Sequence, residues 1–143
     1  MKKNRGAGLI LFKKESDTIL FCCLEKFNGK YDLPKGGVDF GEHELDCAKR
    51  EAYEEANIKE RYYKFIKDDG NIVHISQNEN LVLYLCKIKK DYINNLRIKR
   101  NPNTYKFEHK KIMWLTAEKI EANFPKYLRG CLFKALEKIN NLS

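Results

Sequence analysis

The 143-residue sequence has little that would place it in a membrane or divide it into several domains. No apolar run approaches the roughly 18 residues needed to span a bilayer. The apolar stretch after the basic start, residues 6–12, runs into charged residues without a small-residue cleavage site, so we expect no signal peptide. No repeat, low-complexity tract or linker rich in proline or serine interrupts the chain. We therefore expect one domain over residues 1–143 that does not enter a membrane.

The cysteines lack the pattern of a disulfide framework or of a zinc site. There are five of them, an odd number, and no two stand in C-x-x-C spacing. Several lie within apolar runs, where free thiols behave as small buried hydrophobes. We expect no disulfides and a reducing, cytoplasmic location.

Charge of both signs is abundant, but the balance is basic. The chain has 28 basic and 20 acidic residues, which gives a net charge of +8. Such an excess is typical of a protein with a polyanionic partner such as nucleic acid or phosphates. Because lysine dominates the basic residues, a bias in overall composition explains the excess equally well.

Apolar patterning predicts an α+β sandwich in which helices cover a mixed sheet. Strands are expected at residues 6–12 and 19–24 (a hairpin), near Tyr31, at 62–67, 72–75 and 110–115, and at Leu81–Ile88, a nearly continuous apolar run that we expect to be central. The first helix is expected at Glu44–Ala56, and Asn57, a residue that tolerates the left-handed conformation, ends it. A second helix is expected over residues 116–123 and a third after Pro125.

Three carboxylates share one face of the first predicted helix. Glu51, Glu54 and Glu55 lie at i, i+3 and i+4, away from an apolar stripe that contains Leu45 and the helix alanines. Like charges at these spacings destabilise an isolated helix. A solvated acidic face would explain the helix, but not the glycine loop that precedes it. A site for Mg²⁺ or Mn²⁺ explains both, because clustered carboxylates bind hard cations and a glycine loop allows phosphates to approach closely.

The spacing of these residues resembles the Nudix box, G-x5-E-x7-R-E-U-x-E-E-x-G-U with U aliphatic. The corresponding residues are Gly36, Glu42, Arg50, Glu51, Ala52, Glu54, Glu55, Asn57 and Ile58. The pattern departs from the box only where Asn57 replaces the final glycine. The resemblance implies an α/β/α sandwich, dependence on Mg²⁺, and hydrolysis of a nucleoside diphosphate linked to another moiety.

Segments outside the box resemble one branch of that family, the asymmetric diadenosine tetraphosphate hydrolases. They are residues 5–12, which include Arg5, the loop at 32–42, and the Glu108-His109 pair that is followed by Trp114-Leu115. This resemblance implies cleavage of diadenosine tetraphosphate to ATP and AMP. Neighbouring branches remove pyrophosphate or a cap from RNA 5′ ends, and a catalytically silent nucleotide-binding module is a third alternative.

The resemblance also implies roles for individual residues. The metal ligands are Glu51, Glu54, Glu55 and Glu108, with the backbone of Lys35. The catalytic set is these four glutamates with Arg50, which can also reach back to Glu42, and either Glu51 or Glu108 serves as the general base. Contacts with the substrate, a nucleotide polyphosphate, are assigned to Lys35, Gly36, Gly37, Tyr31, Tyr84 and His109.

A basic segment follows the predicted central strand. Residues 87–111 contain nine basic and two acidic residues. They either bind a long polyphosphate or an RNA 5′ end, or form a solvated loop. We expect a monomer or a homodimer.

Overall fold

The computed structural model describes residues 6–120 and 123–142. These residues form an eight-stranded mixed sheet and a separate two-stranded ribbon. The strands are β1 (Gly6–Glu15), β2 (Thr18–Lys26), β3 (Tyr31–Asp32), β4 (Lys35–Gly37), β5 (Tyr63–Phe65), β6 (Lys67–Asp68), β7 (Asn71–Ile72), β8 (His74–Gln77), β9 (Leu81–Ile88) and β10 (His109–Leu115). The helices are α1 (Glu44–Ala56), α2 (Ala117–Ile120) and α3 (Lys126–Leu142), with 3-10 turns at Glu60–Tyr62 and Lys90–Asn95. Within this described part of the chain, no helix is long and apolar enough to cross a membrane.

Apolar side chains that point alternately to the two faces of the sheet form two hydrophobic cores, one on each face. On β1, Leu9 and Leu11 pack beneath α1, whereas Ile10 and Phe12 pack beneath α2 and α3. Successive strand residues point to opposite faces, so strands buried on both sides are apolar throughout. The predicted α/β/α sandwich is therefore confirmed.

The principal strand order is β10-β2-β1-β9-β5, and β3, β4 and β8 pair with β2, β1 and β9. The predicted hairpin is confirmed, with β1 and β2 antiparallel. The strand expected to be central, β9, has partners on both sides, but the middle of the order is β1, to which β9 is parallel. The strand expected at 62–67 is broken into a 3-10 turn, β5 and the start of β6, and β4 was not predicted.

Both ends of the chain behave as the patterns predict where the structure describes them. The apolar residues Leu128, Cys131, Leu132, Ala135 and Ile139 recur at three- and four-residue spacing on α3 and are buried, and Leu136 is half-buried against the same core. The helix expected over 116–123 is the single turn α2, and its residues 121–122 lie outside the described residues, as does Arg5. All five cysteines are buried and unpaired, as expected.

Asn57 ends α1 in the left-handed conformation, with φ of 57° and ψ of 32°. Its backbone N–H donates to Tyr53 O, and Ile58 N–H donates to Ala52 O, which closes a C-terminal capping motif. Its side chain adds a contact that glycine could not make, because Nδ2 donates a hydrogen bond to the carbonyl of Asn95 at 3.0 Å. The departure from the motif therefore joins the end of α1 to the segment that follows β9.

Candidate active site

Helix α1 places its carboxylates beside β4 because its small residues hold it close to the sheet. Cys47, Ala48, Ala52 and Ala56 are fully buried, whereas Leu45, which was expected in this stripe, is only half-buried. Close packing turns Glu51 and Glu55 toward the backbone of the glycine loop. A Cβ atom on Gly36 would overlap the carboxylate of Glu51. The first glycine of the motif is therefore required by the position of this glutamate.

Glu55 is the most perturbed acid of the group. Its Oε1 accepts a hydrogen bond from the backbone N–H of Lys35 at 3.3 Å. Burial, followed by the negative charge of Glu51, raises the pKa of Glu55 to about 9. Burial also raises the pKa of Glu51, against the attraction of Arg50. A pair of carboxylates that holds a proton at neutral pH is ready to exchange that proton for a cation.

Arg50 joins the loop to the helix, as its spacing predicted. Its Nε donates to Glu42 Oε2 at 2.8 Å, and its Nη2 donates to Glu42 Oε1 and to Gly37 O, each at 3.0 Å. Its Nη1 donates to Glu51 at 3.0 Å and to Glu54 at 3.2 Å. Arg50 thus acts on the carboxylates that surround it, which is the work of a positioning residue.

Glu42 is held in its charged form by the same contacts. The hydrogen bond from Arg50, together with one from the backbone N–H of Asp39 at 3.0 Å, lowers the pKa of Glu42 to about 2. Glu42 and Glu55 therefore have pKa values far apart, although both belong to the same motif. The contacts of Glu42 favour its anion, whereas the burial of Glu55 beside Glu51 favours its protonated form.

The segment after β9 covers the end of α1. The backbone N–H groups of Arg97 and Lys99 donate to Ala56 O and Glu55 O at 3.0 and 3.2 Å. Carbonyls in the last turn of a helix have no partner within the helix, so these bonds satisfy two of them. The ammonium of Lys99 lies 3.4 Å from the centre of the Tyr53 ring. The basic segment over residues 87–111 therefore contacts the C-terminal end of α1 through the backbone of Arg97 and Lys99.

Beyond this contact, residues 100–108 fold back as a hairpin, which we call the 100–108 hairpin. Arg100 and Phe107 form its β-bridge, and the Arg100 guanidinium stacks 4.8 Å from the centre of the Phe107 ring. The fold-back returns Glu108 to the acidic face of α1. A cleft of about 650 Å³ contains Glu108 together with Glu51, Glu54 and Glu55. Four carboxylates from two distant parts of the sequence therefore share one cleft.

The structure places most of the other predicted residues at this cleft. Lys35, Gly36 and Gly37 form one wall of it, and the buried His109 lines a small pocket formed by the same four glutamates. Nζ of Lys35 lies 3.4 Å from Asp32 Oδ1. Burial is the largest single influence and lowers the pKa of Lys35, but the charge of Asp32 and its hydrogen bond, together with Tyr127 and Glu55, raise the pKa above its ordinary value. Burial lowers the pKa of His109, which favours the neutral imidazole.

The two tyrosines assigned to the substrate lie elsewhere. Tyr31 packs edge-on against Phe124, with ring centres 5.8 Å apart. Tyr84 is half-buried on β9 near Phe65 and His74. Within the described chain, neither ring lines the acidic cleft. Their contacts are those of packing residues, and the structure does not bring them together with the glutamates.

A second cavity that the sequence did not reveal adjoins the cleft across β4. It has a volume of about 610 Å³ and shares Lys35, Gly36 and Gly37 with the acidic cleft. Its other walls carry the half-exposed ring of Tyr127 and the side chains of Gln77, Asn78 and Asn80. No motif marked these residues, because the amides lie at the end of β8 and in the turn that follows it, and Tyr127 follows the expected helix start. An aromatic ring with several amides beside it is suited to a planar, polar group such as a nucleobase.

The donor set of the acidic cleft suits a hard divalent cation, since all four acids offer carboxylate oxygens. As placed, Glu51 and Glu54 bond to Arg50, and Glu51 shares a hydrogen bond with Glu55. Accordingly, among residues 6–120 and 123–142, no three His, Cys, Asp or Glu side chains are arranged as a metal site. Binding of an ion at these acids requires Glu55 to lose its proton.

We predict that the metal-free protein loses stability as the pH rises from 4.5 to 9. Between these values, the unfolded chain releases the proton of Glu55 and the folded chain retains it, so a rising pH favours unfolding. Melting temperatures measured in EDTA across this range test the prediction. In Glu55→Gln, which has no proton to release, the decline should be clearly smaller. An equal decline in both proteins would contradict the raised pKa.

Comparison with known proteins agrees with this geometry. The chain matches the NUDIX domain family over residues 2–134. It is 30% identical to the mouse bis(5′-nucleosyl)-tetraphosphatase [asymmetrical] over 125 residues, which cover 80% of each protein. It is 27% identical to an RNA pyrophosphohydrolase of Bartonella henselae, over 80% of this chain and 76% of that protein.

Among solved structures, the Ap4A hydrolase of C. elegans in a binary complex has the same fold. The two chains are 22% identical, each is covered over 99% of its length, and the TM-score is 0.71. The intact carboxylates and the family match lead to one conclusion: this chain belongs to the Nudix family and is a pyrophosphohydrolase.

Proposed function

We propose that this enzyme hydrolyses a dinucleoside polyphosphate with the help of Mg²⁺, and that diadenosine tetraphosphate, split into ATP and AMP, is its preferred substrate. The observation that carries this proposal is the pair of cavities that meet at β4. One has the acids needed to hold a cation at a phosphate chain, and the other has the ring and amides that suit a nucleoside. The similarity to the mouse enzyme supports the same substrate.

We propose the following roles. Glu51, Glu54 and Glu55 hold the Mg²⁺, or Mn²⁺ in its place, with Glu108 and the backbone of Lys35 beside them. When bound, the cation neutralises phosphate oxygens and lowers the pKa of a nearby water. The ammonium of Lys35 and the backbone of Gly36 and Gly37 contact the phosphates.

Hydrolysis needs a water that attacks phosphorus in line with the leaving phosphate. The P–O bond to the leaving phosphate breaks as the new P–O bond forms, and a carboxylate takes the proton of the water. Glu108 suits this role because it is exposed and stands on a hairpin above the other three acids. Glu51 is the alternative, although Arg50 holds it at 3.0 Å.

A second candidate function is removal of pyrophosphate from RNA 5′ ends. The observation in its favour is the basic segment over residues 87–111, part of which lines the acidic cleft, while its Lys99 lines a small pocket beside the same glutamates. The similarity to the bacterial RNA pyrophosphohydrolase supports it. We also propose a cytoplasmic location for the enzyme, because its five unpaired thiols suit a reducing compartment.

One comparison of substrates tests the proposal. With Mg²⁺ present, kcat/KM is measured for diadenosine tetraphosphate and for a 5′-triphosphorylated RNA oligonucleotide, and the products are separated by ion-exchange chromatography. We expect the dinucleotide to react faster and to yield ATP and AMP in equal amounts. Two molecules of ADP would contradict asymmetric cleavage, and a large preference for RNA would favour the second function.

Salt dependence gives an independent criterion. A protein that contacts many phosphates of RNA loses affinity steeply as salt concentration rises. If RNA is the true substrate, KM for RNA should rise steeply with salt. If the dinucleotide is the substrate, its KM should change much less over the same range of salt concentration. A failure to hydrolyse either compound would contradict both functions.

A further inference from the structure

Asn101 lies at the start of the 100–108 hairpin, where hydrogen bonds fix both its side chain and its backbone. Its Oδ1 accepts hydrogen bonds from the backbone N–H groups of Asn103 and Thr104, at 2.8 and 3.2 Å. Its backbone N–H donates to Lys106 O at 2.8 Å, and its own carbonyl accepts from Tyr105 N–H at 2.8 Å. An asparagine side chain that accepts from the residues after it closes a tight turn and fixes its own rotamer. The two backbone N–H groups therefore fix the position of Asn101 Oδ1.

The other end of this amide faces Glu108. Nδ2 of Asn101 donates a hydrogen bond to Glu108 Oε2. The orientation of the amide follows from the network, since the two backbone donors require an oxygen where Oδ1 lies. Both residues line the cleft that contains Glu51, Glu54 and Glu55.

Among residues 6–120 and 123–142, this is the side-chain hydrogen bond that holds the carboxylate of Glu108. Glu108 is exposed, and a free glutamate side chain samples many rotamers. A hydrogen bond from a rigid amide to a charged carboxylate is among the stronger ones in proteins. The hairpin thus supplies both the acid and the group that orients it.

We propose that Asn101 is a positioning residue that holds the Glu108 carboxylate over the acidic cluster for the hydrolytic step. The inference rests on the proposed role of Glu108. It predicts that Asn101 influences the reaction through that carboxylate alone. Its contribution should therefore vanish when Glu108 can no longer act.

The decisive variant is Asn101→Asp. Aspartate has the same shape and keeps an oxygen for the two turn N–H groups, so the hairpin and the melting temperature should change little. It loses the donor to Glu108 and repels the carboxylate instead. We expect kcat to fall about 10-fold or more, as the loss of a hydrogen bond to a charged group implies, while KM changes much less.

A double-mutant cycle with Glu108→Gln tests whether Asn101 acts through Glu108. The four proteins are compared in Mg²⁺ on whichever nucleotide the wild type hydrolyses fastest. We expect Glu108→Gln to lower kcat strongly and Asn101→Asp to add nothing in that background. If Glu108→Gln has no effect, the proposed role of Glu108 fails. If Glu108→Gln lowers kcat but Asn101→Asp does not, the positioning role alone fails.

Two further proteins separate positioning from other effects. Asn103→Asp adds the same charge to the same hairpin without meeting Glu108, so it measures what a new charge alone does. An equal fall of kcat in Asn103→Asp and Asn101→Asp would overturn the proposal. So would a full additional loss from Asn101→Asp in the Glu108→Gln protein, since Asn101 would then act directly. Should Asn101→Asp fold poorly, Asn101→Ser keeps a hydroxyl acceptor and takes its place.

Discussion

Glu55→Gln is expected to lower kcat/KM by more than about 100-fold, since groups that merely orient metal ligands already account for 10- to 100-fold effects. The amide keeps the size of the side chain and can still meet the backbone N–H of Lys35 through its oxygen. It cannot become an anion, so the cluster loses a full negative charge where the cation is proposed to bind. The measurement is steady-state hydrolysis over a range of Mg²⁺ concentrations.

The same variant should respond differently to metal in a thermal melt. Mg²⁺ or Mn²⁺ should raise the melting temperature of the wild type, because a ligand that binds only the folded state stabilises it. In Glu55→Gln, this increase should largely disappear. Asp46→Asn is the matched control, since it removes an exposed carboxylate from the same helix and should leave both activity and metal response near those of the wild type. Near-normal activity in Glu55→Gln would refute the proposed metal site.

Gly36→Ala is expected to reduce activity about 100-fold, the order of loss that follows when a catalytic group is displaced by about 1 Å. A methyl group on Gly36 would overlap the Glu51 carboxylate. Glu51 cannot yield freely, because Arg50 Nη1 holds it at 3.0 Å, so either the glutamate or the loop must move. The affinity for Mg²⁺ should fall together with kcat.

Gly130→Ala is the control for this substitution. Gly130 lies within α3, and a Cβ atom there meets nothing within 4 Å. Alanine should stabilise the helix by about 0.5–1 kcal/mol and leave activity unchanged. If Gly36→Ala retains full activity while Gly130→Ala behaves as expected, the close contact between the loop and Glu51 has no functional importance.

Local patterns predicted α1 well because every signal for it lies within about twenty residues. The spacing of small residues, the triad of carboxylates and Asn57 are all features of one helix, and the helix bounds agree with those expected. The same holds for the contact between Arg50 and Glu42, which are separated by eight positions in the sequence. In contrast, β4 is three residues long and has no periodicity of its own, so it forms only because β1 offers a partner.

The tyrosines illustrate why the surroundings of an aromatic ring are harder to predict than a helix. Tyr31 lies near the motif in sequence and Tyr84 lies on an apolar strand, and in the structure their rings contact Phe124 and Phe65. Tyr127, which stands beside the second cavity, has no sequence signal that separates it from other exposed residues of α3. Whether a ring faces a core or a cavity depends on the angle at which its element meets the sheet.

The linear order of residues was sufficient for the family and for the helix that carries three acids, and a resemblance at Glu108-His109 led to the proposal of a fourth. The helix follows from chemistry and spacing within a short segment, which it converts directly into geometry. The pKa of Glu55, the overlap at Gly36 and the bond from Asn101 to Glu108 depended on the fold. Each arises where a distant segment buries or meets a side chain, and burial and contact are properties of the folded chain.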